Sequence, residues 1–214
     1  MATREQLLDT ATALFAERGI SGTTVAQIAE HVGVTPAMIH YYFKTRDQLL
    51  DTIIEERLGR IIDFVWNPIT ESEDAPLALV QGLVRRIIQV TDENAWLPQL
   101  WIREIVCDGG RLRERVFGRI PVEKHKKFAE SITSGQKQGV VNPDVDPCLL
   151  HMSIIGLVML PLATANIWNR VPALEGFNKD DLAHHVIALI SHGLNNHAPG
   201  SAGQAPRILT SDGP

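Results

Sequence analysis

An all-α protein is predicted, with an N-terminal helix-turn-helix three-helix bundle followed by a C-terminal helical bundle. Three observations carry this. Apolar side chains recur at helical spacing through most of the 214 residues, and strand alternation is absent. A Thr-x-x-Gln pattern opens three segments, at Thr3–Gln6, Thr24–Gln27 and Thr45–Gln48, each with the form of a capping box. Gly33 divides two short helical segments and supplies the positive φ that a tight inter-helix turn demands. The equal spacing of the three boxes is not a repeat, because the residues between them do not match.

The first helix is expected over Arg4 to Arg18, where Leu7, Leu8, Ala11, Leu14 and Phe15 share one face and Gly19 ends the run. The second spans Val25 to His31. Thr35 then acts as N-cap and Pro36 as first residue of a third helix running through Ile39 to Tyr42. Val25, Ile28, Ala29, Val32, Val34, Ile39 and Tyr42 take the apolar or small positions such a pair needs, and Ala29 permits a close crossing. A fourth helix starts after Thr45 and continues to about Phe64, long enough to join the small bundle to the rest. Asn67-Pro68 and the acidic stretch from Glu71 to Asp74 mark a boundary, giving an N-terminal domain of 1–66 and a second of 67–197.

In the second domain, helices are expected over Pro76 to Val90 and Trp96 to Val106. After Gly109-Gly110 comes a segment from Leu112 to Gly139, which Pro121 kinks or splits. A turn cluster from Asn142 to Pro147 leads into an apolar helix reaching about Trp168. Asn178 caps a last helix, Lys179 to Asn196. Residues 198–214, rich in Gly, Pro, Ser and Ala, are expected to be disordered.

Composition narrows the function. An apolar fraction of 44% supports a real core, and a formal net charge of −5 gives no global basic footprint. No charged-then-apolar leader is visible, and no apolar run reaches the ~18 residues of a membrane span, so a cytoplasmic protein without a membrane partner is expected. Met152 to Leu162 is the longest candidate and is too short. Cys107 and Cys148 match no metal spacing and read as buried thiols in a reducing compartment, a redox switch being the alternative. His184, His185, His192 and His197 lack the i, i+4 geometry of a zinc pair and suit solvent or an interface. No Ser-His-Asp order, phosphate loop, G-x-G-x-x-G or metal motif occurs, so no catalytic residue, metal or cofactor is assigned and an enzyme is not expected.

The chemistry concentrates near Gly33. A groove-reading helix needs short side chains for close approach and hydrogen-bonding tips; Thr35, Pro36, Ala37, Met38 and His40 supply them. Thr24 and Thr45 each place a hydroxyl at a helix N-terminus, a phosphate-binding device, and Tyr41, Tyr42 and Lys44 follow the third helix. An ordinary αα-corner shows the same turn pattern, so the flanking charge matters. Residues 1–66 hold six basic and nine acidic side chains, a net −3. From His31 to Arg46, however, there is no acid, and Lys44, Arg46 and two histidines stand alone. The attractive field is local.

The ordered stretches LLDTATALFAERG, TTVAQIAEHVGV, TPAMIHYYF and KTRDQLL make residues 4 to about 56 resemble the TetR family of bacterial transcriptional regulators. Members usually carry an aliphatic residue, Tyr, any residue, His or Tyr, then Phe at the end of the third helix. Here Ile39 is followed by His40 where the Tyr is usual, then Tyr41, Tyr42 and Phe43. A Lys often precedes the fourth helix, a place flanked here by Lys44 and Arg46. The resemblance implies a C-terminal body that dimerises and encloses a ligand pocket. It implies a repressor that binds a palindromic double-stranded DNA operator as a homodimer and is released by a small-molecule effector. An effector-independent architectural DNA-binding protein is the alternative.

Two apolar helices, about 147–168 and 179–196, suit a four-helix dimer interface. Candidate pocket residues are Trp96, Trp101, Arg103, Glu104, Phe117, Phe128, His151, Met152 and Trp168, with a plain core role as the alternative. Arg103 and Glu104 could equally form a surface or interdomain ion pair. Residues 111–127 hold seven cations against two acids, a net +5, which suits either a solvated face or an anion site.

Overall fold

A computed structural model describes residues 3–67, 75–168, 170–172 and 178–195. The expected acidic boundary stretch at 71–74 and the 198–214 tail lie outside the described residues. Among the described residues there is no strand, only an isolated antiparallel bridge between Val141 and Asn195.

Capping sets the N-terminal helices. α1 (Arg4–Arg18) opens on a complete box: the Thr3 hydroxyl accepts the Gln6 N–H at 3.2 Å, and Gln6 Oε1 accepts the Thr3 N–H at 2.9 Å. α2 (Val25–Val32) repeats this with Thr24 and Gln27 and stops at Gly33, whose φ of +73° is left-handed. α3 (Pro36–Phe43) begins with Pro at its first position. At Thr45 only half of the box forms: the hydroxyl accepts the Gln48 N–H at 3.1 Å without a return bond. Ile28, Ala29 and Ile39 of the helix-turn-helix bury against Leu7, Leu8, Ala11 and Phe15 of α1. Burying each large side chain fully is worth about 1.5–3 kcal/mol.

The fourth expected helix is a rod of three parts. α4 (Arg46–Ile53) runs into a π turn, Ile54–Leu58, and on into α5 (Gly59–Trp66). The wide turn shifts the register of the apolar face, so the rod serves both the helix-turn-helix unit and the body.

The body comprises α6 (Pro76–Glu93), α7 (Leu97–Trp101) ending in a second π turn at Ile102–Val106, α8 (Arg113–Phe117), α9 (Val122–Lys137), α10 (Pro147–Ala163), α11 (Ala165–Trp168) and α12 (Lys179–Leu194). Pro121 splits its segment, separating α8 from α9. The apolar helix expected to reach Trp168 is interrupted at Thr164, and α12 ends at Leu194. α12 packs on α6 and α10, α10 also on α7 and α9, and α5 on α6. Leu83, Leu100, Phe128, Ile132, Ile154 and Val158 are fully buried between them. α1 rests on α7, which brings the body against the N-terminal bundle.

The expectation of buried thiols is corrected. Cys107 and Cys148 are both exposed. Each falls at a helix end, one capping the second π turn and one in the first turn of α10, and neither joins the buried core.

Candidate functional site

Two surfaces matter: the outer face of α3 and a cavity in the body. Along α3, Ile39 and Phe43 point into the core, so helical geometry turns the residues between them outward. Thr35, Pro36, Ala37 and His40 are exposed, Tyr41 is 76% exposed, and Met38 and Tyr42 are half-buried against the core. Thr24, Lys44 and Thr45 are exposed as well.

The end of α3 is a built feature. Lys44 has φ +57° and ψ −59°, and the Thr45 N–H donates to the Phe43 carbonyl at 2.6 Å. This is a tight γ-turn in a strained region for a side-chain-bearing residue. His40 Nδ1 lies 3.0 Å from the Lys44 carbonyl. If Nδ1 carries the proton, Nε2 is left to face outward as an acceptor. Arg46 turns back instead, donating to the Ile20 and Thr23 carbonyls. Of the two cations flanking the turn, Lys44 is thus the one left exposed.

Charge around α3 is held off by internal pairing. Arg4 Nη1 donates to Glu56 at 2.7 Å, and its guanidinium lies 5.3 Å from the Phe43 ring centre. The hydrogen bond from Arg4 holds the Glu56 carboxyl below its ordinary range. Arg57 bridges Glu5 and Asp9 at 2.6 and 2.8 Å.

In the body, an apolar cavity has two chambers that share the walls Ile62, Trp66, Trp101, Val116, Ile155 and Met159. The outer chamber holds about 570 Å³, within the usual range for a small-molecule site. The inner holds about 90 Å³ and reaches Leu58, in the π turn of the rod. Of the residues singled out from sequence, Trp101, Phe117, His151 and Met152 line the outer chamber. The other five lie elsewhere. Phe128 is fully buried behind the wall, edge-on to Trp66. Trp96 packs half-buried against the core, and Trp168 is exposed with its Nε1 donating to Thr164 at 2.7 Å. Arg103 and Glu104 do not pair with each other: Arg103 donates to α1, and Glu104 accepts from Ile20 and Arg111.

His125 was missed from sequence. Its ring stacks on Trp66 at 3.8 Å between centres and meets His151 edge-on at 4.4 Å. Burial, then the neighbouring His151, push its pKa down to about 4, and burial lowers His151 too. Both rings are therefore neutral near pH 7. A Lys-rich local sequence around His125 hid a partner that only the fold supplies.

Contacts tie the cavity walls to the N-terminal bundle. Ile102, Ile105 and Val106 of the second π turn line the outer chamber, while Arg103 of the same turn reaches α1 and Glu104 reaches Ile20 just beyond it. Arg103 donates to the Glu17 carbonyl at 2.8 Å. Within the basic stretch 111–127, Arg111, Lys126 and Lys127 are exposed, while three arginines are engaged. Arg113 caps the carbonyls of Ile105, Val106 and Cys107. Arg115 bonds Asp51 and Asp47 at 2.7 and 2.9 Å, and Arg119 pairs with Glu55. Asp47, Asp51 and Glu55 form one i, i+4, i+8 ridge on the rod, which this stretch grips.

The profile of bacterial regulatory proteins of the tetR family matches residues 7–53, and that of the tetracyclin repressor-like C-terminal domain matches residues 76–191. The HTH-type transcriptional repressor KstR2 of Mycobacterium tuberculosis is 25% identical over 154 residues, 71% of this chain and 75% of that one. Its structure, described as a ketosteroid transcriptional regulator, superposes with a TM-score of 0.70 at 20% identity, covering 91% and 97% of the two chains. The fatty acid metabolism regulator protein of Bacillus subtilis is 25% identical over 194 residues, 89% of this chain and 95% of that one. A structure of FadR from Bacillus subtilis with stearoyl-CoA gives a TM-score of 0.66 at 19% identity, with 89% and 99% coverage. AibR, solved with isovaleryl coenzyme A and operator DNA, gives 0.67 at 21% identity, with 86% and 96% coverage.

Proposed function

The chain belongs to the TetR family of bacterial transcriptional regulators, and we propose that it is a repressor that binds a palindromic operator as a homodimer and leaves it when a small molecule fills the body cavity. It is a ligand-responsive, DNA-binding regulator. The observation that carries the operator reading is α3: an outward helix face of short and hydrogen-bonding side chains in a segment without a single acid. Thr35, Pro36, Ala37 and His40 approach the base edges, with Met38 and Tyr42 setting the depth. Thr24, Tyr41, Lys44 and Thr45 contact the backbone. The N-terminal unit 1–66 reads DNA, and 67–197 binds effector and partner.

The partner is a second copy. α10 exposes Leu149 and α12 exposes Leu189, and the exposed Met152 and Leu160, which also line the outer chamber, stand on α10 beside them. Gly193 has open space where a Cβ would stand, room for another helix to approach. Pairing these helices across a two-fold axis would set two recognition helices about 34–36 Å apart, one DNA turn. Among the described residues no helix is long and apolar enough to cross a membrane, and a cytoplasmic regulator fits a DNA partner.

Selection of bound fragments from genomic DNA tests this. Recovery of an inverted repeat, bound by a species that sediments as a dimer at micromolar concentration, is the expected result. Monomeric sedimentation, or many unrelated fragments held with equal affinity, would instead favour an architectural DNA-binding protein.

A further inference from the structure

The effector-responsive reading says where a ligand goes; the walls say what kind. We propose, resting on that reading, that the effector is an uncharged, mainly hydrocarbon molecule carrying a neutral hydrogen-bonding oxygen, which sits against His125 and His151. Among the described residues no Asp, Glu, Lys or Arg lines either chamber. Among the described residues, the lining side chains of the outer chamber that carry a polar atom, apart from methionine sulfur, are His125, His151, Trp66 and Trp101. An ionised group placed there would lose its water and meet no opposite charge, a cost of several kcal/mol.

The two histidines are arranged to meet a neutral oxygen. A neutral imidazole carries one N–H donor and one acceptor nitrogen, so each of the two rings can meet a neutral oxygen. Among the described residues the His125 ring has stacking partners but no hydrogen-bond partner. A hydroxyl can donate to one ring, and a hydroxyl or carbonyl can accept from the other. Burial holds both rings in the neutral form, so they offer hydrogen bonds and no charge.

A coenzyme A conjugate, as bound in FadR and AibR, needs cations for its phosphates. Three arginines of the basic stretch are already engaged: Arg113 on helix-end carbonyls, Arg115 and Arg119 on carboxylates of the rod; the exposed Arg111, Lys126 and Lys127 lie outside the chamber lining. Lys124 is bonded to Asn67. Recruiting Arg115 or Arg119 to a phosphate would strip the rod of its partners.

The full-length protein at pH 7.5 is titrated with 1-dodecanol, dodecanoate and dodecanoyl-CoA, each below its micellar concentration, and with a fused-ring neutral ketone. Binding is read without DNA, by Trp fluorescence and by the rise in Tm. A neutral probe is expected to bind at least ten-fold more tightly than dodecanoate, and dodecanoyl-CoA no more tightly than dodecanol. His125→Phe, which keeps the stack on Trp66 and removes the hydrogen bonds, should weaken the neutral probe about ten-fold with unchanged circular dichroism. Tighter binding of the carboxylate or the CoA thioester overturns the proposal, as does no binding by either neutral probe. Release of selected genomic DNA is measured separately. DNA released only by anionic ligands sinks the proposal and leaves the regulator standing, whereas failure to bind any DNA sinks the regulator and leaves the ligand preference intact.

Discussion

Glu104 Oε1 accepts the backbone N–H of Ile20 at 2.8 Å, across the contact between the body and the N-terminal bundle. The same carboxylate takes the Arg111 N–H through Oε2 at 3.0 Å, and it is only 5% exposed. A Cβ on Gly19 would stand 3.3 Å from both Glu104 Oε1 and the Arg103 side chain, and Gly19 also has φ +81°. The corner after α1 is therefore shaped to receive the turn that walls the cavity. A ligand that displaced that turn would pull on the bundle that carries α3, through packed contacts.

Glu104→Ala should strand two buried N–H donors and cost about 2–4 kcal/mol in urea unfolding. Glu104→Gln keeps an oxygen acceptor and should cost less. In Glu104→Gln, DNA affinity should persist while the effector's power to release DNA falls. Full release in this variant would mean that the signal travels by the rod alone.

Arg115 and Arg119 grip the acidic ridge of the rod at half-exposed pairs, so their contribution to stability is small, roughly 0–1 kcal/mol each. Arg115→Ala with Arg119→Ala should leave Tm within a few degrees yet change the effector concentration needed for DNA release. Raising salt should mimic the double substitution, because such pairs are screened. An unchanged release curve would show the grip to be incidental.

Lys44 occupies a left-handed turn that glycine adopts freely. Lys44→Gly is expected to raise stability by up to about 1 kcal/mol while lowering DNA affinity and flattening its salt slope by about one phosphate contact. Loss of stability would refute the strain assignment.

Ala37→Glu combined with His40→Glu places two carboxylates on the outward face of α3. Both positions are exposed, so folding should survive by circular dichroism. Binding to the selected operator should fall at least a hundred-fold. Retained binding would remove α3 from the interface.

His125 has a pKa lowered to about 4 in the folded chain, against an ordinary value near 6.5. The unfolded chain therefore takes up a proton first as pH falls. Stability is fully present above pH 6.5 and declines between 6.5 and about 4, by about 1–2 kcal/mol once the half-exposed ring is allowed for. His125→Phe should flatten that decline in thermal melts. His151, shifted in the same direction, adds to it and should leave a residual slope.

Much of the architecture is written locally. Thr3 and Thr24 with their glutamines, Pro36 and Gly33 dictate where helices start and stop through contacts within four residues, so the order of helices and the outward face of α3 can be read from the chain alone. The cavity could not. Trp66 and His125 lie far apart in sequence, and nothing near either one signals that they stack. Likewise the charges of 111–127 look free until folding sets Arg115 beside Asp47 and Asp51. Local hydrogen bonding and periodicity act over one helical turn, whereas a pocket and a clamp are made by side chains that meet only when separate helices pack. Tertiary structure alone chose those meetings.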